Sequence, residues 1–211
     1  MAAAAQAGTS DRQWYIVSRW QEYEGEGRAN LLRIVAIGAF YLVQLVQFYV
    51  LAKADPALLP FHQRATLLAV AWVMVALVVL LCLRRQVFPA ALKYGSTACD
   101  IVLLTALAWV AGGPTSSITR VFFLVIALSA LRFNLGLVWF TTLGCMLAYE
   151  GLVGMSDKTW FDEIHTIAPV ENLIVLLSLG MTGVIVGQVI RRVRALAQDY
   201  AARLEKGRGA T

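Results

Sequence analysis

Long runs of apolar residues dominate this chain, and short polar or charged segments separate each run from the next. The runs are too long and unbroken for the alternating segments of a transmembrane β-barrel. Most approach the roughly 20 apolar residues that a helix needs to cross a bilayer. We therefore predict an all-α integral membrane protein with six transmembrane helices. The predicted spans cover residues 31–51, 65–83, 92–111, 118–133, 135–153 and 170–190.

The segment before the first run has a helical pattern of its own. The stretch "SDRQWYIVSRWQEY" opens with a Ser-Asp pair that can cap a helix. Ile16, Trp20 and Tyr23 then recur at helical spacing. This pattern favours an amphipathic helix lying in the membrane interface, with its aromatic rings at headgroup depth. We assign residues 1–28 to this N-terminal segment and residues 29–190 to the transmembrane domain.

The segment after the last run continues the sixth helix. Val189, Val193, Leu196 and Tyr200 follow the four-three-four spacing of a coiled-coil seam. The seam covers less than two heptads, which is too short for a stable isolated coiled coil. Residues 191–211 are therefore predicted to form a short basic helical extension, which could pair in a homodimer held together by its membrane part.

Composition and charge place the chain in a membrane and give it an orientation. Hydrophobic residues make up 59% of the sequence and charged residues 15%, against about 45–50% and 25% in soluble domains. All but four of the 18 Lys and Arg residues lie on the side of the two termini. Basic residues concentrate on the cytoplasmic side, so we predict an inner-membrane protein with both termini cytoplasmic. The net charge of +5 needs no nucleic acid as a partner.

Charged residues inside or at the ends of the spans are expected to find partners, because an unpaired charge in hydrocarbon is costly. Asp100 lies in the cytoplasmic half of the third span, and Arg132 or Arg33 could neutralise it. On the outer side, Arg120 and Glu150 could meet across the hairpin of the fourth and fifth spans. Such pairs either lock the packing of the helices or switch in response to a signal. A proton or ion pathway is the third alternative.

Small residues mark one face of the sixth span. Gly183 and Gly187 lie four residues apart, with Gly180 nearby. Small residues at this spacing allow two membrane helices to approach closely. The close neighbour is either another helix of the same chain or a second protein.

No catalytic or metal-binding motif accompanies these features. The sequence contains no phosphate-binding Gly loop with a Lys, no HExxH and no GxSxG. His62 and His165 fall in separate loops, and the three cysteines lack a CxxC spacing. We therefore predict that the chain is not an enzyme and has no metal site.

The stretch "GGPTSSI", residues 112–118, joins the third and fourth spans. Gly112 and Gly113 can adopt positive φ, Pro114 stops the third helix, and Ser117 can cap the fourth. These properties make a plain turn. They also make a small pocket of backbone amides that could donate hydrogen bonds to a ligand carbonyl.

The stretch "DIVLLTALAWVAGGPTSSITRVFFLVIALSALRF" resembles the six-helix membrane sensor domain of redox- or quinone-responsive and pilus-regulating bacterial sensor histidine kinases. An Asp in the third of six spans and a Gly-Gly loop before the fourth carry the resemblance. Gly112 and Gly113 match the family's Gly-Gly-x-x-Asn-Pro-Phe loop, while Ser116, Ser117 and Ile118 replace its last three residues. The resemblance implies a sensing loop and a quinone ligand. No His follows His165, so we expect no kinase activity from the chain itself.

A sensor-like membrane domain is the predicted function. It would detect a lipophilic or membrane-associated signal and relay it to a separate cytoplasmic partner. The predicted ligand-binding residues are Gly112, Gly113, Ser116 and Ser117. The alternative is an accessory or structural subunit that docks to a larger membrane complex through its glycine-bearing helix, and a small transporter comes third.

Overall fold

A computed structural model describes the backbone of residues 2–85, 90–156 and 168–208, and the side chains of residues 23–85, 91–156 and 168–199. The structure is 92% helical, and the described residues contain no strand. This confirms the prediction of an all-α protein. The α-helices in the described residues are α1 (Ala2–Leu45), α2 (Leu59–Arg84), α3 (Ala90–Val110), α4 (Val121–Ala130), α5 (Leu135–Ser156) and α6 (Pro169–Arg208).

Five helices of the described residues are long and apolar enough to cross a membrane: α1, α2, α3, α5 and α6. The fourth predicted span is shorter. It consists of a 3-10 turn, Ser117–Arg120, followed by the ten residues of α4. These helices fit the predicted class of α-helical membrane protein. The count of six spans and the cytoplasmic location of both termini remain predictions.

Helix α1 runs without a break through the boundary that the sequence placed at residue 28. Its last turns continue as a six-residue π-helix, Val46–Leu51. Within α1 the polar side chains of Glu26, Asn30 and Arg33 are buried. Buried polar side chains need hydrogen-bonding partners inside the protein, so this part of α1 depends on the groups packed around it.

The chain folds into two compact units. The first contains Met1–Ser96 and Leu131–Phe133, and the second contains Thr97–Ala130 and Asn134–Thr211. In the first unit α1 packs along α2. Polar groups join the two helices: the Tyr23 hydroxyl donates to the Leu83 carbonyl, and Asn30 Nδ2 to the Ala76 carbonyl, each over 3.1 Å. Such bonds satisfy polar groups that would otherwise lie unpaired in the helix interface.

The second unit packs α4 against both α5 and α6, and α5 against α6. Asn134 caps the start of α5, because its side-chain Oδ1 accepts a hydrogen bond of 3.1 Å from the Leu137 amide. Gly136 lies inside α5, and the residue with positive φ at the α4–α5 connection is Phe133, at 47°. The largest fully buried apolar side chains of this unit are Leu104, Phe122, Ile126, Leu137, Leu152, Leu179 and Ile190.

Candidate functional site

A buried ion pair joins Glu26 of α1 to Arg132 in the first unit. Arg132 Nη2 donates to Glu26 Oε1 at 2.7 Å, and Arg132 Nε lies 2.7 Å from Glu26 Oε2. The guanidinium therefore contacts both carboxylate oxygens, the arrangement that gives an Arg–carboxylate pair its strength and orientation. Glu26 is 0% exposed and Arg132 is 7% exposed. Water therefore screens this pair very little.

Groups from the start of α3 complete the environment of the pair. Arg132 Nη1 donates to the Lys93 carbonyl at 3.2 Å, and Arg132 Nη2 also donates to Ser96 Oγ at 3.1 Å. The Ser96 hydroxyl lies 3.4 Å from Glu26 Oε1 and 3.3 Å from the Lys93 carbonyl, and can donate to either. A buried ion pair is tolerated only where further hydrogen bonds compensate for lost hydration, and these contacts provide them. We name Glu26, Ser96 and Arg132 the inner polar cluster.

Backbone packing holds α1 close to this cluster. A Cβ atom on Gly25 would lie 2.9 Å from the Leu131 carbonyl oxygen, which is closer than such atoms approach in proteins. Glycine at position 25 therefore allows α1 to contact the backbone of residues 131–133 directly. The contact places Glu26, the next residue, within reach of Arg132.

Sequence reasoning missed Glu26, Asn30 and Ser96, although the first two left a signal. Glu26, Asn30 and Arg33 lie three and four residues apart, which places them on one helical face. The same spacing continues to Tyr23 on one side and Ile37 on the other, and Ile37 is buried. When polar side chains share one face of a helix with apolar ones, the whole face is expected to be buried.

Arg33 and Asp100 are both buried, in the first and second units respectively. Arg33 Nη1 donates to Asn30 Oδ1 at 2.8 Å. Arg132, the other predicted partner of Asp100, binds Glu26 as described. The pairing of Asp100 with an arginine remains a prediction.

Glu150, which was expected to pair with Arg120 on the outer side, forms a hydrogen bond with an amide side chain. Glu150 Oε1 accepts a hydrogen bond of 3.0 Å from Asn172 Nδ2 at the start of α6, within the second unit. Arg120 is exposed at the beginning of the fourth apolar segment, and in the described residues it forms no ion pair with Glu150. An amide–carboxylate bond thus joins α5 to α6 where we expected an arginine from the fourth span.

The loop between α3 and α4 has the backbone that its glycines predicted. Gly112 has a φ of 109° and Gly113 a φ of 77°, so both are left-handed. The helix-capping residue is Ser116 rather than Ser117, because Ser116 Oγ accepts from the Ile118 amide at 3.3 Å. Ser117 is the first residue of the 3-10 turn and is exposed. Two loop amides are used internally: Ser116 donates to the Gly113 carbonyl and Thr119 to the Ser116 carbonyl.

Gly113 places this loop against the end of α5. It is buried, and a Cβ atom at this position would lie 2.8 Å from Ser156 Oγ. Gly112, by contrast, has no atom within 4 Å of a Cβ position. A side chain added at Gly113 would therefore press directly on α5, whereas one added at Gly112 would not.

The glycine face of α6 packs inside the second unit. A Cβ atom on Gly183 would overlap the side chain of Thr142 in α5, and one on Gly187 would lie 3.3 Å from Leu135 Cδ1. Gly180 has ordinary space, with Met146 Sδ 3.9 Å away. The close neighbour of this glycine face was expected to be either another helix of the same chain or a second protein. In the structure it is α5 of the same chain.

His62 is the histidine that lies in the described part of the chain. That part holds no group of three or more His, Cys, Asp or Glu side chains that could bind a metal. His62 is buried and stacks on the Phe48 ring with centroids 4.2 Å apart. His165 lies outside the described residues.

Comparisons of the chain with protein-family models, with curated proteins and with solved structures give no match. The assignment of a function therefore rests on the residues and contacts of the chain itself.

We expect Gly113→Ala to destabilise the protein by about 1–2 kcal/mol or more, because a side chain in the left-handed region costs that much and its Cβ also meets Ser156. Gly112→Ala should cost only the strain of a side chain in the left-handed backbone region, because its Cβ meets no other atom. Thermal unfolding in detergent micelles measures the difference, and Ser156→Gly should recover part of the loss in the Gly113 variant. If Gly112→Ala and Gly113→Ala lowered the stability equally, the contact of Gly113 with α5 would not contribute to stability.

Proposed function

We propose that this protein is a sensor-like membrane domain whose output passes through α6 to a separate cytoplasmic partner. The observation that carries the proposal is the continuity of α6, a single helix of 40 residues. Its first half packs on α4 and α5, and its side chains from residue 191 to residue 199 are all exposed. A continuous helix that is packed on other helices along one half can carry a small shift of that half to its other end.

Contacts within the second unit support a route from the 112–118 loop to α6. The loop meets α5 at Ser156, and α5 meets α6 at Thr142 and Leu135. A molecule that displaced Gly113 would therefore move the end of α5, and the tight contact at Gly183 would pass that movement to α6. The proposed signal is a lipophilic or membrane-associated molecule, because the loop joins two apolar helices. A quinone is the ligand that the family resemblance implies, and six spans with cytoplasmic termini belong to the same proposal.

Native mass spectrometry of the full chain, released gently from its own membrane, tests the sensing step. We expect a bound small molecule on the wild type that is lost in Gly113→Ala. Gly151→Ala is the matched control, since a Cβ on Gly151 meets no atom within 4 Å. A chain free of bound molecules, or one that loses them equally in both variants, would exclude the loop as the binding site.

Photo-crosslinking in living cells tests the relay. A photoreactive residue replacing the exposed Gln198 of α6 should capture a cytoplasmic protein, and Gly113→Ala should change the yield. The control position is Leu147 of α5, which is 73% exposed within the second unit and is expected to face lipid. Capture that does not respond to Gly113→Ala would support an accessory subunit instead. Docking of such a subunit through Gly183 and Gly187 is disfavoured, because these residues already pack on α5.

A further inference from the structure

The part of α6 that follows the predicted membrane span carries large apolar side chains that are exposed within the second unit. Val193 is 42% exposed and Leu196 is 70% exposed. Arginines at positions 191, 192 and 194 follow Ile190 directly and indicate the headgroup level. With a rise of about 1.5 Å per residue, Leu196 lies about 9 Å further along the helix axis than Ile190. Lipid tails therefore do not cover Leu196, and water contacts it unless a protein surface does.

These residues have the spacing and the types of a two-stranded seam. Val189 and Val193 are four residues apart, and Val193 and Leu196 are three apart, as in the d-a-d positions of a heptad. A β-branched residue at a with Leu at d favours a parallel pair of helices over larger bundles. Two copies inserted in the same membrane leave it on the same side, so their α6 helices are necessarily parallel.

An exposed apolar surface beside the seam continues into the membrane-spanning part. Ile185 lies one helical turn before Val189, and the two side chains are 57% and 55% exposed. The buried face of α6, which includes Gly183 and Ile190, is a different one and is occupied by the chain's own helices. One face of α6 thus packs inside the second unit, while another face is exposed within that unit along both parts of the helix.

We propose that a second copy of this chain covers the seam, so that two α6 helices form a short parallel coiled coil beyond the membrane. The seam is too short to hold two free peptides together. A short seam is sufficient when both helices are anchored in the same membrane, because the membrane aligns them and raises their effective concentration. The proposal does not rest on the sensing function, since an accessory subunit could dimerise in the same way.

Cysteine crosslinking of the full chain in its own membrane tests this pairing. Cys82, Cys99 and Cys145 are first replaced by alanine, and a single cysteine is then placed by Leu196→Cys or Gln198→Cys. Both positions are exposed, but two residues turn the helix by about 200°, so the second points away from the seam. We expect mild oxidation to convert most Leu196→Cys chains into a species of twice the 23.1 kDa chain mass, and few Gln198→Cys chains.

Labelling with a maleimide confirms that both thiols are accessible, so that a missing crosslink has a definite meaning. Equal crosslinking at the two positions, none at position 196, or a crosslink to another protein would each overturn the proposal. Leu196→Glu gives a second measurement without cysteines: native mass spectrometry should find its main species shifted from dimer to monomer, with Gln198→Glu unchanged. A wild type that is monomeric in this measurement would also overturn the proposal. Loss of dimerisation with bound ligand retained would leave the sensing proposal intact.

Discussion

Arg132→Met should destabilise the protein by about 3–5 kcal/mol, the cost of leaving a buried charge without its partner. The Glu26 carboxylate is fully buried, and Arg132 is the cation that contacts both of its oxygens. Only the weak contact with the Ser96 hydroxyl, at 3.4 Å, would remain among the bonds described for it. Glu26→Met should have a similar cost, because it strands the Arg132 guanidinium.

The double variant Glu26→Met/Arg132→Met should be far closer to the wild type than either single variant. Replacing a buried pair by apolar side chains of similar volume removes both desolvation costs at once. Ser96 keeps a partner in the double variant, because its hydroxyl also lies 3.3 Å from the Lys93 carbonyl. The free energy of unfolding in mixed detergent micelles, measured for all four chains, gives the coupling between the two residues.

The exposed pair Glu24–Arg28 is the internal control for this cycle. Its closest N–O distance is 3.5 Å, and its side chains are mostly exposed. Arg28→Met should therefore change stability by less than about 1 kcal/mol. A double variant at Glu26 and Arg132 that is as unstable as the single ones would contradict the claim that the two charges act as a unit.

The positions of the helices were predictable because apolar runs are a local property of the sequence. Helix α5 begins at Leu135, the first residue of the predicted fifth span, and α2 ends at Arg84, one residue beyond the second. A run of apolar residues needs no knowledge of its neighbours to indicate a helix in a membrane. The boundary that the sequence placed at residue 28 stays a prediction, and α1 runs through it as a single helix. Whether a charged residue ends a helix or lies buried in it depends on a distant partner.

The inner polar cluster shows how far away such a partner can be. Glu26 and Arg132 are 106 residues apart in sequence, and no local pattern links them. Sequence reasoning looked for a partner of Asp100 and named Arg132 or Arg33, a pairing that stays a prediction, but it did not consider Glu26 as an acid for Arg132. Glu26 was overlooked because it stands between glycines in a charged stretch, which is typical of a solvent-exposed segment.

The 112–118 loop lies between these cases. Positive φ at Gly112 and Gly113 was predictable because only glycine adopts it without strain. The capping residue was off by one, since Ser116 and Ser117 are equally suited to cap a helix. The contact of Gly113 with Ser156 could not be predicted, because it depends on where α5 ends in space.

Gly183→Leu should prevent α5 and α6 from packing and should lower the yield of folded protein severely. Even the single Cβ of Gly183→Ala would lie 2.6 Å from Thr142 Cγ2 and 2.9 Å from Thr142 Cβ. The atoms it meets belong to a β-branched side chain with little rotational freedom. The Thr142 hydroxyl donates to the Val138 carbonyl at 2.8 Å, which restricts the side chain further. We therefore expect Gly183→Ala to cost about 1–3 kcal/mol, the usual range for overpacking a core.

Gly180→Ala is the matched control on the same helix, one turn earlier. Its Cβ would meet only Met146 Sδ, at an ordinary distance of 3.9 Å. Alanine favours a helix over glycine by up to about 1 kcal/mol, so this variant should be neutral or slightly stabilised. Opposite signs for the two Gly→Ala changes, measured as free energies of unfolding in the same micelles, would locate the effect at the α5–α6 contact.

Thr142→Ala supplies the rescue experiment, because it removes two of the three atoms nearest to the new Cβ. Combined with Gly183→Ala it should restore part of the lost stability, whereas combined with Gly180→Ala it should only add its own cost. If Thr142→Ala rescued neither variant, the close approach of α5 and α6 at Gly183 would be refuted. The proposed relay from the 112–118 loop to the tail of α6 would then lose its central contact, because Thr142 and Gly183 are where a movement of α5 reaches α6 most directly.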